Sequence, residues 1–154
     1  MKIRTAHLLT LSALACTLTA VAQEKKIERS TLPPAVEKTV QAQSKGATIK
    51  GFTTERENGK RTYEAEMVVN GHSRDIEIAE NGTLNEMEDE VAFSSLPAKV
   101  QSALTAKAAG AKITKVESLT KKDKLVAYEA AITKGTKKSE IQVGPDGGKL
   151  LHEE

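Results

Sequence analysis

Cysteine is nearly absent from this sequence, which has one, Cys16, among its 154 residues. A single cysteine forms no internal disulfide, so stability depends on the burial of apolar side chains. Tryptophan is missing, and aromatic residues make up 3% of the chain. Tight protein interfaces usually take much of their energy from Trp, Tyr and Arg anchors. The composition therefore favours a weak or transient protein contact over a tight, aromatic-anchored one.

An excess of charge of either sign is also missing. The chain has 23 Lys and Arg against 21 Asp and Glu, a net charge of +2 at pH 7. Lys2 and Arg4 supply that excess, because residues 23 to 154 carry equal numbers of both signs. A balanced chain has no net attraction for a phosphate backbone, and few aromatic rings are present for base stacking. We therefore expect no nucleic-acid partner.

One apolar run is present, from about residue 8 to residue 21, just after a basic start. It includes a serine and several threonines, and it is shorter than the roughly 20 strongly apolar residues of a membrane span. It ends at Ala20-Val21-Ala22, the small-residue pattern of a signal-peptidase site. The sequence predicts a signal peptide at residues 1–22, a periplasmic or secreted protein, and no transmembrane segment after cleavage.

Cys16 leaves a second mode of export open. It follows Ala13-Leu14-Ala15, which loosely resembles a lipobox, and acylation of Cys16 would tether the protein to a membrane. The run stays apolar beyond the cysteine, which favours cleavage after Ala22 instead. In that case the exported chain has no cysteine, and thiol chemistry is excluded.

An internal repeat with an offset of 64 to 65 residues occupies the rest of the chain. The segment that begins at Leu32 matches the one at Leu96, and Tyr63-Glu64-Ala65 matches the segment at Tyr128. Further matches keep the same order, which one tandem duplication explains. The charged segment before the first match has no apolar period. The predicted divisions are a flexible leader at residues 23–30, a first repeat at 31–92 and a second repeat at 93–154.

Each repeat begins with the pattern of an amphipathic helix. A hydroxyl residue, Thr31 or Ser95, is placed to cap the helix and is followed by a proline suited to the first turn. Gly46 and Gly110 stand where a left-handed residue would end each helix. The apolar stripe consists of Leu32, Val36 and Val40 in the first repeat, and of Leu96, Val100, Leu104 and Ala108 in the second.

After each helix the apolar period falls to two, which is typical of half-buried strands. Tyr63, Ala65 and Met67, for example, alternate with Glu64 and Glu66. Asn-Gly pairs predict hairpin turns, and an apolar pair spaced by three in the first strand of each repeat predicts a bulge. The predicted strands cover residues 47–57, 60–70, 72–80, 83–88, 111–121, 124–134, 137–144 and 148–153.

These patterns predict an α+β fold of two tandem α-β-β-β-β repeats, with an antiparallel sheet and the helices packed on one face. A unit of about 60 residues buries too little of its surface to be stable alone. We therefore expect the two halves to share one sheet or to pack closely.

Both repeats carry three short motifs in the same order: L-P-x-x-V at the start of the helix, G-A-x-I at the entry to the first strand, and Y-E-A in the second strand. This order resembles that of the PepSY-like family, which is related to the β-lactamase inhibitor proteins (BLIP-like proteins). The resemblance implies an exported bacterial α+β module that presents a sheet to an enzyme or regulates a peptidase. This chain lacks the cysteines and the many aromatic residues that a β-lactamase inhibitor uses. The motifs are L-P-x-x-V at Leu32 and Leu96, G-A-x-I at Gly46 and Gly110, and Y-E-A at Tyr63 and Tyr128.

Catalytic and metal-binding patterns are not found in the sequence. No serine lies in a nucleophile elbow. His72 and His152 alone are too few for a zinc site. The acidic run from Glu86 to Glu90 lacks the spacing of a calcium loop and is typical of a solvated linker. We expect no catalytic residue, no cofactor and no metal.

If the helices cover the apolar side of the sheet, its polar side stays open. The simplest interpretation is an ordinary solvated face, as antiparallel sheets commonly have. The functional interpretation is a charged docking surface that steers and orients a protein partner. The residues predicted on this face are Glu64, Glu66, Arg74, Asp75, Glu77, Glu129, Lys138, Glu140 and Gln142.

The sequence thus favours a non-enzymatic exported module that contacts or regulates a protein partner, such as a peptidase. Two alternatives stay open. One is a direct inhibitor of a protease or β-lactamase, and the other is an envelope protein that binds a small ligand or a metal.

Overall fold

A computed structural model describes residues 24–57 and 59–150. Within this part of the chain, the fold is α+β, with two helices and one eight-stranded antiparallel sheet. Each strand pairs with the next strand in the sequence, so the sheet is a continuous meander. The strands are β1 (Lys25–Lys26), β2 (Thr48–Glu57), β3 (Lys60–Val69), β4 (His72–Ala79), β5 (Leu84–Glu90), β6 (Lys112–Lys121), β7 (Lys124–Lys134) and β8 (Lys137–Val143).

The two helices are α1 (Pro34–Gln43) and α2 (Ala98–Ala108). Proline suits the first turn because its missing N–H is one that no helical carbonyl would accept. Both glycines predicted after the helices are left-handed, since φ is 76° at Gly46 and 81° at Gly110. The residue that ends each helix is another one: Ser44, with φ of −92°, caps α1, and Ala109, left-handed with φ of 49°, caps α2. No helix among the described residues is long and apolar enough to cross a membrane. The predicted signal peptide and Cys16 lie outside the described residues.

The predicted role of Thr31 and Ser95 as helix caps is wrong. The Thr31 hydroxyl donates a hydrogen bond to the carbonyl of Glu28, and the Ser95 hydroxyl donates one to the carbonyl of Ala92, each at 2.7 Å. Each hydroxyl therefore closes a short 3₁₀ turn that precedes the helix. The N-cap of each helix is a proline, which has no side-chain group to donate or accept.

The apolar stripes predicted for both helices are buried, as expected from their spacing. Val36 and Val40 of α1 pack in one buried cluster with residues of β2, β3 and β4. Val100 and Leu104 of α2 pack in a second cluster with residues of β6, β7 and β8. Burial of these side chains supplies the main stabilising free energy of the fold.

The two halves of the chain share one sheet, because β5 pairs with β6 along its length. The bulges predicted in the first strand of each repeat are also confirmed. The register shifts between Ile49 and Gly51 in β2, and between Ile113 and Lys115 in β6. The extra residue lets each apolar pair spaced by three face the same side of the sheet.

Both ends of the described chain differ from the prediction. Lys25 and Lys26, expected in a flexible leader, form β1 and pair with Thr54 and Thr53 of β2. A two-residue strand is too short to leave a periodic signal in the sequence. The strand predicted at residues 148–153 is not present at residues 148–150, where the Gly148 carbonyl instead accepts a hydrogen bond from the Gly144 N–H. Residues 151–154, including His152, lie outside the described residues.

Candidate protein-binding face of the sheet

The register of the strands determines which side chains share a face, because directly opposed residues in an antiparallel pair point the same way. Ala65 is opposite Ile76, and both belong to the cluster that packs around α1. Their neighbours in sequence, Glu64, Glu66 and Asp75, therefore point to the other side. We call that side the open face, since both described helices pack in the core clusters on the other side of the sheet.

Carboxylates concentrate at the centre of the open face. They come from five consecutive strands, β3 to β7, and several stand directly opposite one another: Glu66 faces Asp75, and Asp75 in turn faces Glu88. We define the acidic patch by eight carboxylates at the centre of this face: Glu64, Glu66, Asp75, Glu77, Glu86, Glu88, Glu117 and Glu129. Glu90, opposite Glu117, lies on the same face beside the patch, where the Ser73 N–H donates a hydrogen bond to it.

Three carboxylates converge most closely within the patch. Oxygens of Asp75, Glu88 and Glu117, from β4, β5 and β6, lie within 4.8 Å of one another. Glu117 is 5% exposed and is one of the few buried polar residues among those described. Its Oε1 lies 2.8 Å from Nζ of Lys115. The buried charge is thus stabilised by an ammonium group from its own strand.

A shallow cavity of about 220 Å³ lies over β3, β4 and β5. Five carboxylates from the patch line this cavity: Glu64, Asp75, Glu77, Glu86 and Glu88. One of them, Glu86, also pairs with Lys121 of β6, whose Nζ lies 2.9 Å from Oε2 of Glu86.

The patch raises the pKa of several of its own carboxyl groups. Burial, followed by the charge of Glu117, raises the pKa of Asp75 to about 6. Burial and the charge of Asp75 raise the pKa of Glu64 to about 7, and burial and the charge of Glu117 raise that of Glu88 to about 8. Burial also raises the pKa of Glu129. Desolvation and like charges act together here, because each disfavours the ionised form.

Neutral side chains and one lysine support individual carboxylates. The Gln142 amide donates to Glu129 Oε2 at 2.6 Å, and the Asn85 amide donates to Glu77 Oε1 at 2.8 Å. Burial alone would lower the pKa of Lys115. The hydrogen bond to Glu117 and the surrounding negative charges outweigh burial and raise it. The ammonium of Lys115 is therefore held in its charged form at neutral pH.

Most of the residues predicted for this face lie on it. Glu64, Glu66, Glu77 and Glu129 belong to the acidic patch, and so does Asp75. Lys138 and Glu140 lie on β8, opposite Thr133 and Ala131, on the same face but towards the edge of the sheet.

The prediction that Arg74 lies on the open face is wrong. Arg74 is opposite Met67, a residue of the core cluster, and it forms an ion pair with Asp89 on the helix-bearing side. Neighbouring residues of a strand point to opposite faces, so Arg74 and Asp75 cannot both lie on the open face.

The prediction also missed Glu86, Glu88 and Glu117. The prediction that the run from Glu86 to Glu90 is a solvated linker is wrong. This run forms most of β5, at the centre of the sheet. The alternation of Glu86, Glu88 and Glu90 with Met87 is a period-two signal that the high charge of the run obscures.

Comparison with known proteins identifies related folds. No family model matches the sequence, and no curated protein matches it at a significant level. Among solved structures, a BLIP-like protein from Bacteroides fragilis has 22% identity and a TM-score of 0.55, covering 78% of this chain and 83% of that one. A DUF2874 family protein from Bacteroides ovatus has 17% identity and a TM-score of 0.61, covering 79% and 86%.

A third structure, from Bacteroides eggerthii, is provisionally described as a periplasmic protein. It has 17% identity and a TM-score of 0.61, and the match covers 78% of this chain and 86% of that one. The resemblance to BLIP-like proteins that the motifs indicated is confirmed at the level of the fold. This chain has the fold of a BLIP-like protein and of DUF2874 family proteins.

Proposed function

We propose that this protein is an exported, non-enzymatic module that binds a protein partner through the open face of its sheet. The observation that carries the proposal is the acidic patch, which lies on the face opposite both helices. Like charges directly opposite each other destabilise a sheet, so the patch costs folding free energy. An unfavourable arrangement that persists at the centre of a sheet points to a role in binding.

The chain's repeated structure supports the same interpretation. We propose that residues 31–92 and 93–154 are two PepSY-like units that arose by duplication, with four strands after the helix in the first and three among the described residues of the second. The joined sheet gives them a single face broader than one unit would offer, and β5 and β6 of the acidic patch lie where the units meet. Binding across the junction would therefore require both units.

Two observations support a place in the bacterial envelope. The basic start, apolar run and Ala20-Val21-Ala22 have the pattern of a signal peptide, and a protein of the same fold is provisionally described as periplasmic. We propose that the partner is an envelope protein, such as a peptidase whose activity the module regulates.

Retention of envelope proteins on the immobilised protein tests this function. The protein is expressed with its own N-terminal segment and purified after export. A face variant changes Glu64, Glu66 and Glu129 to lysine. A matched control changes Glu28, Glu80 and Asp123 to lysine, three exposed positions outside the patch. Circular dichroism confirms that both variants fold.

We expect a partner that is retained by the wild type and the control and is lost by the face variant. Equal retention by all three proteins would move binding away from the open face. Failure of the wild type to retain any protein would contradict the protein-binding function. If the retained partner is an enzyme, loss of its activity at a one-to-one ratio would identify the module as an inhibitor.

A further inference from the structure

We propose that the acidic patch is the docking surface for a lysine- and arginine-rich segment of a protein partner. This inference rests on the proposed function and adds the chemistry of the partner. It depends on how charge is distributed over the fold, on the contacts that the patch already makes, and on the spacing of its carboxylates.

The charge of the chain is segregated. Residues 23 to 154 carry equal numbers of acidic and basic side chains, yet the centre of the open face has eight carboxylates. Five pairs of them are directly opposed across neighbouring strands, where like charges destabilise the sheet. A cationic partner would convert this repulsion into attraction, and its approach would be accelerated by the field of the patch. The opposed pairs are Glu64 with Glu77, Glu66 with Asp75, Asp75 with Glu88, Glu77 with Glu86, and Glu117 with Glu129.

Two lysines of the chain already pair with carboxylates of the patch. Lys115 and Lys121 each bring an ammonium nitrogen to within 2.9 Å of a carboxylate oxygen, of Glu117 and Glu86 respectively. Both lysines lie on β6, between the carboxylates of β5 and Glu129 on β7. The part of the patch over β3 to β5 has the cavity of about 220 Å³ lined by carboxylates. In that cavity, a basic side chain from a partner would make the same kind of ammonium–carboxylate contact that Lys115 and Lys121 make.

The spacing of the carboxylates fits an extended segment. Glu64 and Glu66, and likewise Glu86 and Glu88, are two residues apart on one strand, which is about 6.6 Å. An extended segment repeats its side chains on one side at the same interval. Basic residues at alternate positions would therefore meet successive carboxylates if the segment ran along the strands.

A divalent cation is the competing occupant, since three carboxylates converge at Asp75, Glu88 and Glu117. Glu117 already accepts the ammonium of Lys115, and a metal ion bound there would have to displace it or share the site with a positive charge. That repulsion favours a partner that brings ammonium or guanidinium groups to the remaining carboxylates.

Protonation provides a second signature of a cationic partner. Burial raises the pKa of Asp75, Glu64 and Glu88 to about 6, 7 and 8, so all three groups titrate around neutral pH. The charged groups that face these three carboxyls are Glu24, Glu66, Glu77, Glu86, Glu117, Glu129 and Lys115. A bound cation lowers the pKa of a nearby carboxyl group. Docking of a basic segment would therefore release protons near pH 7, and its affinity would rise with pH.

The test uses three fluorescent peptides of about ten residues in which serine alternates with lysine, with glutamate or with glutamine. Binding to the exported protein is measured at low and at physiological salt. The patch variant is Glu64→Gln, Asp75→Asn and Glu88→Gln. The matched control is Glu28→Gln, Glu80→Gln and Asp123→Asn, and thermal unfolding shows that both are folded.

We expect the lysine peptide alone to bind, with an affinity that falls as salt is added. The patch variant should weaken binding about tenfold or more, and the control should change it less than about twofold. Calorimetry in buffers of different ionisation enthalpy should show proton release. Equal effects of the two variants, or equal binding of the three peptides, would overturn the inference.

Two further results would also overturn it. Calcium chloride that stabilises the wild type but not the patch variant, together with no binding of the lysine peptide, would assign the patch to a divalent cation. A partner retained through the open face but insensitive to salt would leave the proposed function standing and contradict only the cationic chemistry.

Discussion

A turn of each repeat touches the first part of its helix through the backbone. A Cβ atom at Gly82 would stand 2.6 Å from the carbonyl oxygen of Ala35, and one at Gly147 would stand 2.7 Å from that of Lys99. Both glycines have positive φ, at 85° and 81°. The same contact thus occurs at equivalent places in the two repeats. In the first repeat the turn after β4 touches α1, and in the second the turn after β8 touches α2.

Gly82→Ala and Gly147→Ala should each lower the free energy of unfolding by about 2–4 kcal/mol, because each combines a strained φ with a backbone clash. Urea denaturation measures the loss. Gly71→Ala is the matched control, since φ is 89° there but no atom lies within 4 Å of the added Cβ. A loss for Gly71→Ala as large as that for Gly82→Ala would show that strain alone, and not the contact with α1, explains the effect.

Stability should fall as the pH rises from about 4 to about 8. The pKa of Asp75, Glu64 and Glu88 is raised to about 6, 7 and 8 in the folded state, above the value of about 4 expected in the unfolded chain. Over that range the folded state binds more protons than the unfolded state, so removing protons favours unfolding. Denaturation midpoints measured across this range test the expectation.

Glu88→Gln should raise the unfolding temperature at pH 8 by about 2–5 °C and reduce the slope of stability against pH. Neutralising this group removes its repulsion from Glu117, Glu129 and Glu86. Glu90→Gln should have the opposite effect and lower the unfolding temperature at pH 8, because a backbone hydrogen bond from Ser73 lowers the pKa of Glu90. A slope that is unchanged in Glu88→Gln would contradict the raised pKa.

Lys115→Met should lower the free energy of unfolding by about 1–3 kcal/mol at pH 7, since it leaves the buried carboxylate of Glu117 without its ammonium partner. The double variant Lys115→Met with Glu117→Gln should recover most of that loss, because no unpaired charge remains. Chemical denaturation of the four proteins in this cycle gives the coupling. Additive effects would show that the two side chains do not depend on each other.

Leu104→Ala should cost about 2–5 kcal/mol, because Leu104 is fully buried between α2 and the sheet and its truncation leaves a cavity. Leu125→Ala is the matched control at an exposed leucine and should change stability by less than about 0.5 kcal/mol. Thermal unfolding of both variants measures the difference. Similar losses would contradict the placement of α2 on the second core cluster.

Mass spectrometry of the exported protein should find Gln23 at its N-terminus, because Ala20-Val21-Ala22 matches a signal-peptidase site. Blocking cleavage with Ala22→Tyr should leave the N-terminal segment attached. A chain that begins at an acylated Cys16 would instead identify a lipoprotein.

The elements that the sequence predicted well depend on neighbours along the chain. The stripe of α1 repeats at the helical period, and the alternation around Tyr63 and Ala65 repeats at the period of a strand. The bulges at Ile49 and Ile113 also follow from local spacing. Elements with little local signal were predicted poorly, notably the two-residue β1 and the charged β5.

The acidic patch shows what local patterns could not establish. Asp75, Glu88 and Glu117 come from three strands, and they meet only because the register of two strand pairs aligns them. A shift of one residue in either pair would turn a strand's side chains to the other face. Burial, which raises the pKa of Asp75 and Glu88, likewise depends on the neighbouring strands.

The sequence by itself determined the helices, most of the strands, their bulges and the apolar stripes, because each follows from side-chain periodicity and short-range backbone preferences. Only the tertiary structure decided that the halves share one sheet, that Arg74 lies on the helix-bearing side, and that carboxylates from five strands form one patch. The physical reason is that strand register and long-range pairing arise from the packing of the whole sheet, and no single segment contains them.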